Sequence, residues 1–324
     1  MAVQTFSDVV SQADSKIAAS IVSKALDINP HFRRIPLITA NNRLTHRRLK
    51  EGQKPAMESR SFNADFPTKQ KATFDPSETH LKPMGAKFEI DRKFRKNGTV
   101  QGKTNLQAQM DAFSMSLFED LPDKMFNGDE TVAPVGEEFN GFKAFLTALY
   151  PDRFSLYDEG AGNTNGILIA DPESLVSALD ALMEDGPDFV YLPRPLMHRI
   201  NSAFANAGNS VIASKYRKQW VINPQTGARE HYGATYEDTP LIYPGQNSQG
   251  AFILGMDETV GTSDITGSMY AVKWGENFAY MLQDEPPEIT ESIESGMYVT
   301  RFDWLLSLDI VNKKGIKAVG GFLV

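Results

Sequence analysis

TNLQAQMDAFSMSLFEDLPDKMF, residues Thr104 to Phe126, is the stretch with the clearest helical pattern in this chain. Its apolar side chains recur every three or four residues, which places them along one stripe of a helix. They are Leu106, Met110, Phe113, Leu117, Leu121 and Met125. Thr104 and Gln107 fit a capping box at the start, and Gly128 follows as a stop signal. The stretch therefore predicts one long helix with its apolar stripe packed against a sheet.

Pro122 conflicts with this pattern, because proline has no amide hydrogen and its ring crowds the preceding turn. We therefore expect a kink or break near Leu121. The opposite face of the helix is polar but carries no cluster of metal-ligand type. This favours a helix that clamps a sheet over a helix that lines a binding groove.

The composition is that of an ordinary globular protein. Of 324 residues, 41% are hydrophobic and 23% charged, which argues against disorder. A chain of this length buries roughly 75% of its unfolded surface, and it can fold as one large domain or as two. The absence of cysteine excludes disulfides, thiolate metal sites and cysteine nucleophiles, and it suits a reducing cytoplasm. The N-terminal region has no continuous apolar run, so we expect neither a signal peptide nor a membrane span.

Charge is distributed unevenly along the chain. Residues 31–103 hold 17 Lys and Arg against 7 Asp and Glu, whereas the remainder holds 16 against 34. The net charge of −8 therefore combines a basic segment with an acidic body. Such asymmetry is typical of a basic arm that binds nucleic acid or an acidic protein surface. Here the acidic surface could belong to another copy of the chain.

The N-terminal third changes character along its length. Phe6 to Leu26 has helical spacing, and Ile35 to Ala40 is a small apolar strand. From Asn41 to Lys96, prolines and glycines interrupt the sequence repeatedly, and the strand candidates are Lys71 to Phe74 and Lys87 to Ile90. A segment with so little to bury cannot form its own core. We therefore expect an extended hairpin loop or arm that docks elsewhere.

The middle of the chain has an α/β pattern that is followed by strands. A strand at Ile167 to Ala170 leads into a helix that begins at Asp171-Pro172. A second strand and helix follow and end near Gly208. This second strand is Phe189 to Leu192, and the later strand candidates are Lys218 to Ile222, Pro240 to Tyr243, Ala251 to Leu254, Met269 to Trp274, Tyr298 to Val311 and Ile316 to Val324. Phe139 to Tyr150 is apolar, but its spacing does not decide between strand and helix.

No catalytic, cofactor or metal site is predicted. Gly160, Gly162 and Gly166 precede a strand, whereas a phosphate-binding loop needs its glycines between strand and helix. Gly261 to Ile265 resembles a nucleophile elbow but lacks the final glycine, so we interpret it as an ordinary turn. The five histidines have no paired ligand spacing. They are His31, His46, His80, His198 and His231.

Two clusters alternate basic and aromatic residues: Lys87-Phe88 together with residues 92–96, and Lys215 to Trp220. Such alternation suits stacking on bases and neutralising phosphates. It also fits a strand with one buried and one charged face, and no recognised nucleic-acid-binding fold frames either cluster. We favour the interpretation as strands.

The C-terminal third carries a more specific pattern. Gly267 to Glu276 (GSMYAVKWGE) is followed by Gly296 to Asn312 (GMYVTRFDWLLSLDIVN) and by Gly315-Ile316. These stretches resemble the major capsid proteins of tailed bacteriophages, which have the Hong Kong 97 type fold. In that family a small-Tyr-Ala-Val-basic-aromatic-Gly strand precedes an Arg-x-x-Trp strand, a turn and a final short strand. The match at sequence level is confined to the C-terminal part, whereas the order of elements agrees over nearly the whole chain.

The resemblance implies an α+β capsid fold with four parts. They are an N-terminal arm (residues 1–42), an extended β-hairpin loop (43–96), a peripheral domain (97–159 and 276–311, with a long spine helix at 104–126) and an axial α/β domain (160–275 and 312–324). The basic extended loop of one copy would then contact the acidic body of a neighbouring copy. Opposite charge would orient their encounter more than it would raise their affinity.

As function, the resemblance implies a major capsid protein that is not an enzyme and has no cofactor. Copies would form hexamers and pentamers of an icosahedral virion capsid around double-stranded DNA, assembled in the host cytoplasm. The partners would be a scaffolding protein, a portal and a decoration protein, with non-specific contact to DNA and no membrane. Inter-subunit contacts are assigned to basic residues of the extended loop: Arg47, Arg48, Lys50, Lys69 and Lys71.

Two alternatives stay open. An encapsulin, which is a protein nanocompartment shell of the same fold, would enclose cargo enzyme instead of a genome. An α/β enzyme would use the segment from Ile167 to Gly208. Against the enzyme, no polar cluster follows the strands of this segment, where such folds place their chemistry.

Overall fold

The chain folds into a mixed α+β architecture built on two large sheets. The computed structural model describes residues 4–12, 16–42, 44–51, 74–91, 99–100, 103–132, 136–156, 167–168, 172–206, 214–222, 229–260 and 263–323. The helices are α1 (Phe6–Gln12), α2 (Lys16–Ile28), α3 (Asn105–Asn127), α4 (Phe142–Ala148), α5 (Pro172–Met183) and α6 (Arg194–Asn206). Among these helices, none is long and apolar enough to cross a membrane.

The strands fall into two large sheets and two small ribbons. In chain order they are β1 (Gln4–Thr5), β2 (Pro36–Thr39), β3 (Thr45–Glu51), β4 (Phe74–His80), β5 (Lys82–Asp91), β6 (Thr99–Val100), β7 (Lys103–Thr104), β8 (Phe154–Leu156), β9 (Ile167–Leu168), β10 (Phe189–Tyr191), β11 (Tyr216–Ile222), β12 (Arg229–Tyr236), β13 (Thr239–Ile242), β14 (Glu258–Val260), β15 (Ser263–Val272), β16 (Ala279–Gln283), β17 (Glu288–Glu294), β18 (Met297–Ile310) and β19 (Ile316–Leu323). The ribbons are β3–β4 and β6–β7.

The six-stranded sheet is organised around the long strand β18. One edge of β18 pairs antiparallel with β5 from Met297 to Leu306. The other edge pairs with β17 and then with β16, and β16 continues the sheet to β2 and β1. Phe302, Trp304 and Leu306 alternate along β18 and enter the main core, as the two-residue period of a strand requires.

The nine-stranded sheet has the order β11–β12–β13–β10–β15–β19–β8, with β14 beside β15 and β9 beside β19. Its central strands are buried on both faces. In β15, Tyr270 and Val272 belong to the main core, whereas Met269 and Ala271 belong to a second core beneath α5 and α6. This burial on both sides explains why the central strands are continuous apolar runs in the sequence.

A series of contacts between aromatic rings joins the N-terminal helices to the six-stranded sheet. The ring of Phe6 lies 5.7 Å from Trp304 and 5.5 Å from Phe32, in edge-to-face geometry. Phe32 in turn contacts Phe118 of α3 at 5.5 Å. Such edge-to-face pairs add to the free energy of area burial. The N-terminal segment is therefore part of the main core.

Helix α3 runs without interruption through Pro122, so of the kink or break expected near Leu121 the break is wrong. Pro122 cannot donate to the carbonyl of Phe118, four residues earlier. The side-chain amide of Asn29 takes the place of the missing donor, with Nδ2 at 2.8 Å from the Phe118 carbonyl oxygen. The carbonyl that proline leaves free is therefore satisfied by a residue of the N-terminal segment.

Substituting Asn29→Ala is expected to lower the free energy of unfolding by about 1–3 kcal/mol, because the Phe118 carbonyl loses its partner. Pro122→Ala restores the missing amide hydrogen, so the Asn29 substitution should cost clearly less in that background. Urea unfolding of the four proteins in this cycle measures both costs. Equal costs in the two backgrounds would show that Asn29 does not act through this carbonyl.

Other elements agree with the sequence to different degrees. The predicted strands at 189–192, 298–311 and 316–324 are confirmed as β10, β18 and β19. Phe139 to Tyr150, which the pattern left open, contains helix α4. The strand predicted at Ala251 to Leu254 is wrong, since Phe252 forms only an isolated bridge with Gln246. The N-terminal helical pattern corresponds to two helices, α1 and α2.

The two large sheets draw strands from several of the predicted parts. β2 of the predicted arm and β5 of the predicted extended loop both join the six-stranded sheet, whereas β3 and β4 pair only with each other. β8 belongs to the nine-stranded sheet. The domain boundaries themselves stay predictions.

Candidate assembly surface

The strands β3 and β4 form a ribbon that we call the hairpin. Its register runs from Thr45 opposite His80 to Glu51 opposite Phe74, and it lies outside both large sheets. Among the hairpin side chains that the structure describes, His46 alone is buried. A two-stranded ribbon with so little apolar burial is at most marginally stable by itself. Contacts with the body of its own chain are therefore important for the hairpin.

Hydrogen bonds to the backbone hold the hairpin at the points where its two strands join the body of the chain. The side chain of Asn41 clamps Arg47: Nδ2 donates to the Arg47 carbonyl at 2.7 Å, and Oδ1 accepts from its amide at 2.9 Å. After β4, the amide of Leu81 donates to the Leu44 carbonyl, which lies just before β3, at 2.9 Å. Leu81 is buried in a small cluster with Ile38, Tyr280 and Leu282. These contacts fix the two connections of the hairpin.

Arg48 joins the hairpin to β18 through an ion pair within the chain. Its Nε and Nη2 donate to the two carboxylate oxygens of Asp309 at 2.6 and 2.7 Å, and Nη2 also donates to the Ile310 carbonyl at 2.9 Å. The side chains of Arg48 and Asp309 are 11% and 2% exposed. Burial disfavours the charged guanidinium, but the hydrogen bonds and charge of Asp309 outweigh it and raise the pKa of Arg48.

Two tyrosines complete this cluster. The hydroxyl of Tyr280 donates to Asp309 Oδ2 at 3.1 Å, and that of Tyr150 donates to the Ile310 carbonyl at 3.0 Å. Burial raises the pKa of both tyrosines, so their hydroxyls stay protonated and act as donors. Arg48 and Asp309 are therefore held in a buried, hydrogen-bonded network.

His46 lies beside this network, with its ring centroid 6.2 Å from that of Tyr280. Its Nδ1 is buried and has no hydrogen-bond partner among the residues that the structure describes. Burial lowers the pKa of His46; the charge of Asp309 opposes this shift and that of Arg48 adds to it. The imidazole is therefore neutral at pH 7 and resists protonation in the fold.

Acidification is expected to destabilise the chain through His46. Because its pKa is lower in the folded than in the unfolded state, the unfolded chain binds more protons between those two values. Stability therefore falls as the pH drops below about 6.5. His46→Gln should make this fall shallower, as measured by urea unfolding at pH 7.5 to about 5. The exposed His198→Gln is the matched control; an equal change in both variants would contradict the assignment.

The predicted contact residues have different environments. Arg47 is exposed and pairs with Glu78, 3.3 Å away on the opposite strand. Arg48 is bound within its own chain by Asp309. Lys50 lies on β3, and Lys69 and Lys71 lie outside the described residues. The assignment of these five residues to inter-subunit contacts stays a prediction.

The basic-aromatic clusters have structural explanations where they are described. Lys87 is exposed and pairs with Glu89 and Glu294, whereas the ring of Phe88 lies 6.0 Å from that of Phe113. Residues 92–96 lie outside the described residues. In the second cluster, Lys215 binds Asp180 at 2.9 Å and Glu237 at 3.1 Å. These contacts favour strands with one charged face over a surface built for bases.

In the α/β segment that would carry an enzyme site, Asp180 belongs to a polar cluster whose members are hydrogen-bonded to one another. Asp180 of α5 accepts from the hydroxyl of Tyr236 at 2.5 Å as well as from Lys215. This cluster ties α5 to β12. Gly160, Gly162 and Gly166 lie outside the described residues, and within those residues no group of three or more His, Asp or Glu side chains could hold a metal.

The fold is similar to those of several solved shell proteins. A chain of the holo-SrpI encapsulin complex from Synechococcus elongatus PCC 7942 has a TM-score of 0.58 at 9% identity, over 90% of this chain and 86% of its own. A chain of the satellite phage P4 procapsid has a TM-score of 0.54 at 13% identity, over 94% and 90%. The capsid of Myoviridae phage XM1 gives 0.50 at 10% identity, over 88% and 89%.

The chain has the Hong Kong 97 type capsid fold. The resemblance seen in its C-terminal sequence is thus confirmed at the level of the fold. No protein-family model and no curated protein matches the sequence. With identities of 9–13%, the likeness to these structures is one of fold alone.

Proposed function

We propose that this protein is the major capsid protein of a tailed bacteriophage. Copies would assemble as hexamers and pentamers into an icosahedral virion shell around double-stranded DNA, with assembly in the host cytoplasm. The observation that carries the proposal is the capsid fold, which matches phage capsid chains over about nine-tenths of both lengths. A scaffolding protein, a portal and a decoration protein would be its partners, and its contact with DNA would be non-specific.

The hairpin supports assembly as the function of this fold. It buries little within its own chain, so contact with a second copy would stabilise it. If the hairpin of each copy docks on the next copy, the contact is head-to-tail, and such contacts close into rings. Rings of this kind are the units from which a closed shell can be tiled.

Of the five predicted contact residues, we keep Arg47, Lys50, Lys69 and Lys71 for inter-subunit contacts, because Arg48 is bound by Asp309 within its own chain. The Arg47–Glu78 pair is exposed and contributes little to folding, so Arg47 can exchange this partner for one on another copy. Substituting Arg47→Glu together with Lys50→Glu is expected to impair assembly most at low salt, since exposed charges are screened over about 8–10 Å at ordinary ionic strength. Light scattering measures assembly; a defect that is the same at all salt concentrations would contradict this electrostatic role.

Negative-stain electron microscopy of the protein expressed alone tests the proposed function. Closed shells, rings or tubular polymers would support it, and their yield should change with salt. A uniform population of monomers or small dimers, in a protein with cooperative unfolding, would contradict it.

The match to the SrpI encapsulin complex favours a second candidate, a protein nanocompartment shell. Particles isolated from the natural source distinguish the two functions. Nuclease-protected double-stranded DNA inside the shell would support the capsid. A protein cargo without protected DNA would support the nanocompartment, and the proposal of a genome container would then be withdrawn.

A further inference from the structure

We propose that Arg48 and Asp309 form a latch that sets the direction of the hairpin relative to the six-stranded sheet. Arg48 then acts on assembly by positioning the hairpin of its own chain. The part of this inference that concerns assembly rests on the proposed function. The intrachain geometry does not, because it belongs to the single subunit.

The geometry of the ion pair constrains direction as well as distance. Two guanidinium N–H groups meet both carboxylate oxygens of Asp309, and a third interaction reaches the Ile310 carbonyl. Because the guanidinium is planar and rigid, these contacts fix the plane in which Arg48 lies. The hydroxyl of Tyr280 donates to Oδ2 of the same carboxylate and so adds a further hydrogen bond to it. A single flexible contact, such as one from a lysine, would restrict the direction of the hairpin less.

The energetics also favour a positioning role. Removing two charges from water offsets much of their attraction, so a buried ion pair adds little net stability compared with apolar packing. What such a pair does provide is a defined geometry. Among the hairpin side chains that the structure describes, none that is apolar is buried, so apolar packing by these side chains does not orient the hairpin.

The position of Arg48 in the ribbon gives the latch leverage. Arg48 lies opposite Ser77 near the middle of the hairpin, and the paired strands continue past it to Glu51 and Phe74. Each further residue extends a strand by about 3.3 Å. A rotation about the latch therefore moves the outer end of the hairpin most, which is the part that continues into residues 52–73.

Distance measurements on the subunit test the latch directly. The chain has no cysteine, so two introduced cysteines can carry spin labels without background. Glu78→Cys on β4 and Thr290→Cys on β17 place both labels at exposed sites. Pulsed electron paramagnetic resonance then gives the distance distribution between the hairpin and the sheet. We introduce Asp309→Asn and Arg48→Lys into this labelled parent. Arg48→Lys keeps the positive charge, so it preserves folding, but it removes the pair of guanidinium hydrogen bonds to Asp309.

A second buried ion pair provides the matched control. Arg153 and Asp185 are 13% and 14% exposed, and Arg153 Nε also donates to the Ile316 carbonyl at 3.2 Å. Arg153 lies directly before β8 and Asp185 shortly after α5, so Asp185→Asn breaks a pair of the same type that is not on the hairpin strands. We expect a single narrow distribution in the parent and in Asp185→Asn. Asp309→Asn and Arg48→Lys should lose that narrow distribution.

Two results would overturn the latch. One is an unchanged distribution in both Arg48→Lys and Asp309→Asn. The other is equal broadening in Asp185→Asn, which would indicate general loosening. The yield of shells per folded subunit is the second measurement, and it should fall in Asp309→Asn and not in Asp185→Asn. Shell yield is measured in the unlabelled protein; if that protein forms no shells, the proposed function fails, while the distance data still decide the latch.

Discussion

Replacing Trp304 with alanine is expected to lower the free energy of unfolding by about 3–5 kcal/mol. Trp304 is 2% exposed and lies where β18 meets the N-terminal helices. Its ring packs edge-to-face against Phe6, and its Nε1–H donates to the side-chain oxygen of buried Gln283 at 3.2 Å. The substitution therefore opens a cavity and also leaves a buried amide oxygen without its donor.

Urea unfolding of unassembled subunits measures this cost. Trp304→Phe separates the two contributions, since it fills most of the cavity but still leaves the Gln283 oxygen unpaired, at a cost of about 1–3 kcal/mol. Phe252→Ala is the matched control, because Phe252 is 54% exposed and its truncation should change stability by at most about 0.5 kcal/mol. A Trp304→Ala cost as small as that of the control would place Trp304 outside the core.

Removing residues 52–73 is expected to abolish shells while leaving a folded subunit. Glu51 and Phe74 are paired at the outer end of the hairpin, so an Asn-Gly turn can join them directly. The removed segment contains Lys69 and Lys71 and has little apolar sequence to bury within its own chain. Its loss should therefore remove contacts between copies without removing the core.

Far-UV circular dichroism and electron microscopy together decide this prediction. A near-native spectrum with no shells would agree with it. Shells formed as in the parent would show that residues 52–73 are not needed for assembly. A subunit that no longer folds would show that the segment belongs to the core and not to an arm.

The sequence predicted best those elements whose pattern reports burial directly. β10 and, apart from Lys317, β19 are apolar runs because helices and the main core cover both of their faces. Helix α3 was evident from its apolar stripe. By contrast, β17 is a polar sequence at the edge of β18, and its pairing decides its conformation. No local pattern reports such a partner.

Interactions between distant residues account for the other misses. Asn29 and Phe118 are 89 residues apart, so nothing near Pro122 indicates that its helix continues. Arg48 and Asp309 are 261 residues apart. From the sequence, Arg48 is one of several basic residues in a polar segment, and an intermolecular contact is a reasonable expectation for all of them. The partner that distinguishes Arg48 is visible only in the folded chain.

The arrangement of strands about β18 has a mechanical consequence. A pull along this strand loads its hydrogen bonds to β5 on one edge and to β16 and β17 on the other at the same time. Because these bonds run across the direction of the pull, they must yield together in shear and cannot open one by one as in a zipper. A slip by one residue would also turn Phe302 and Trp304 out of the core. The strand is therefore suited to carry tension through the subunit.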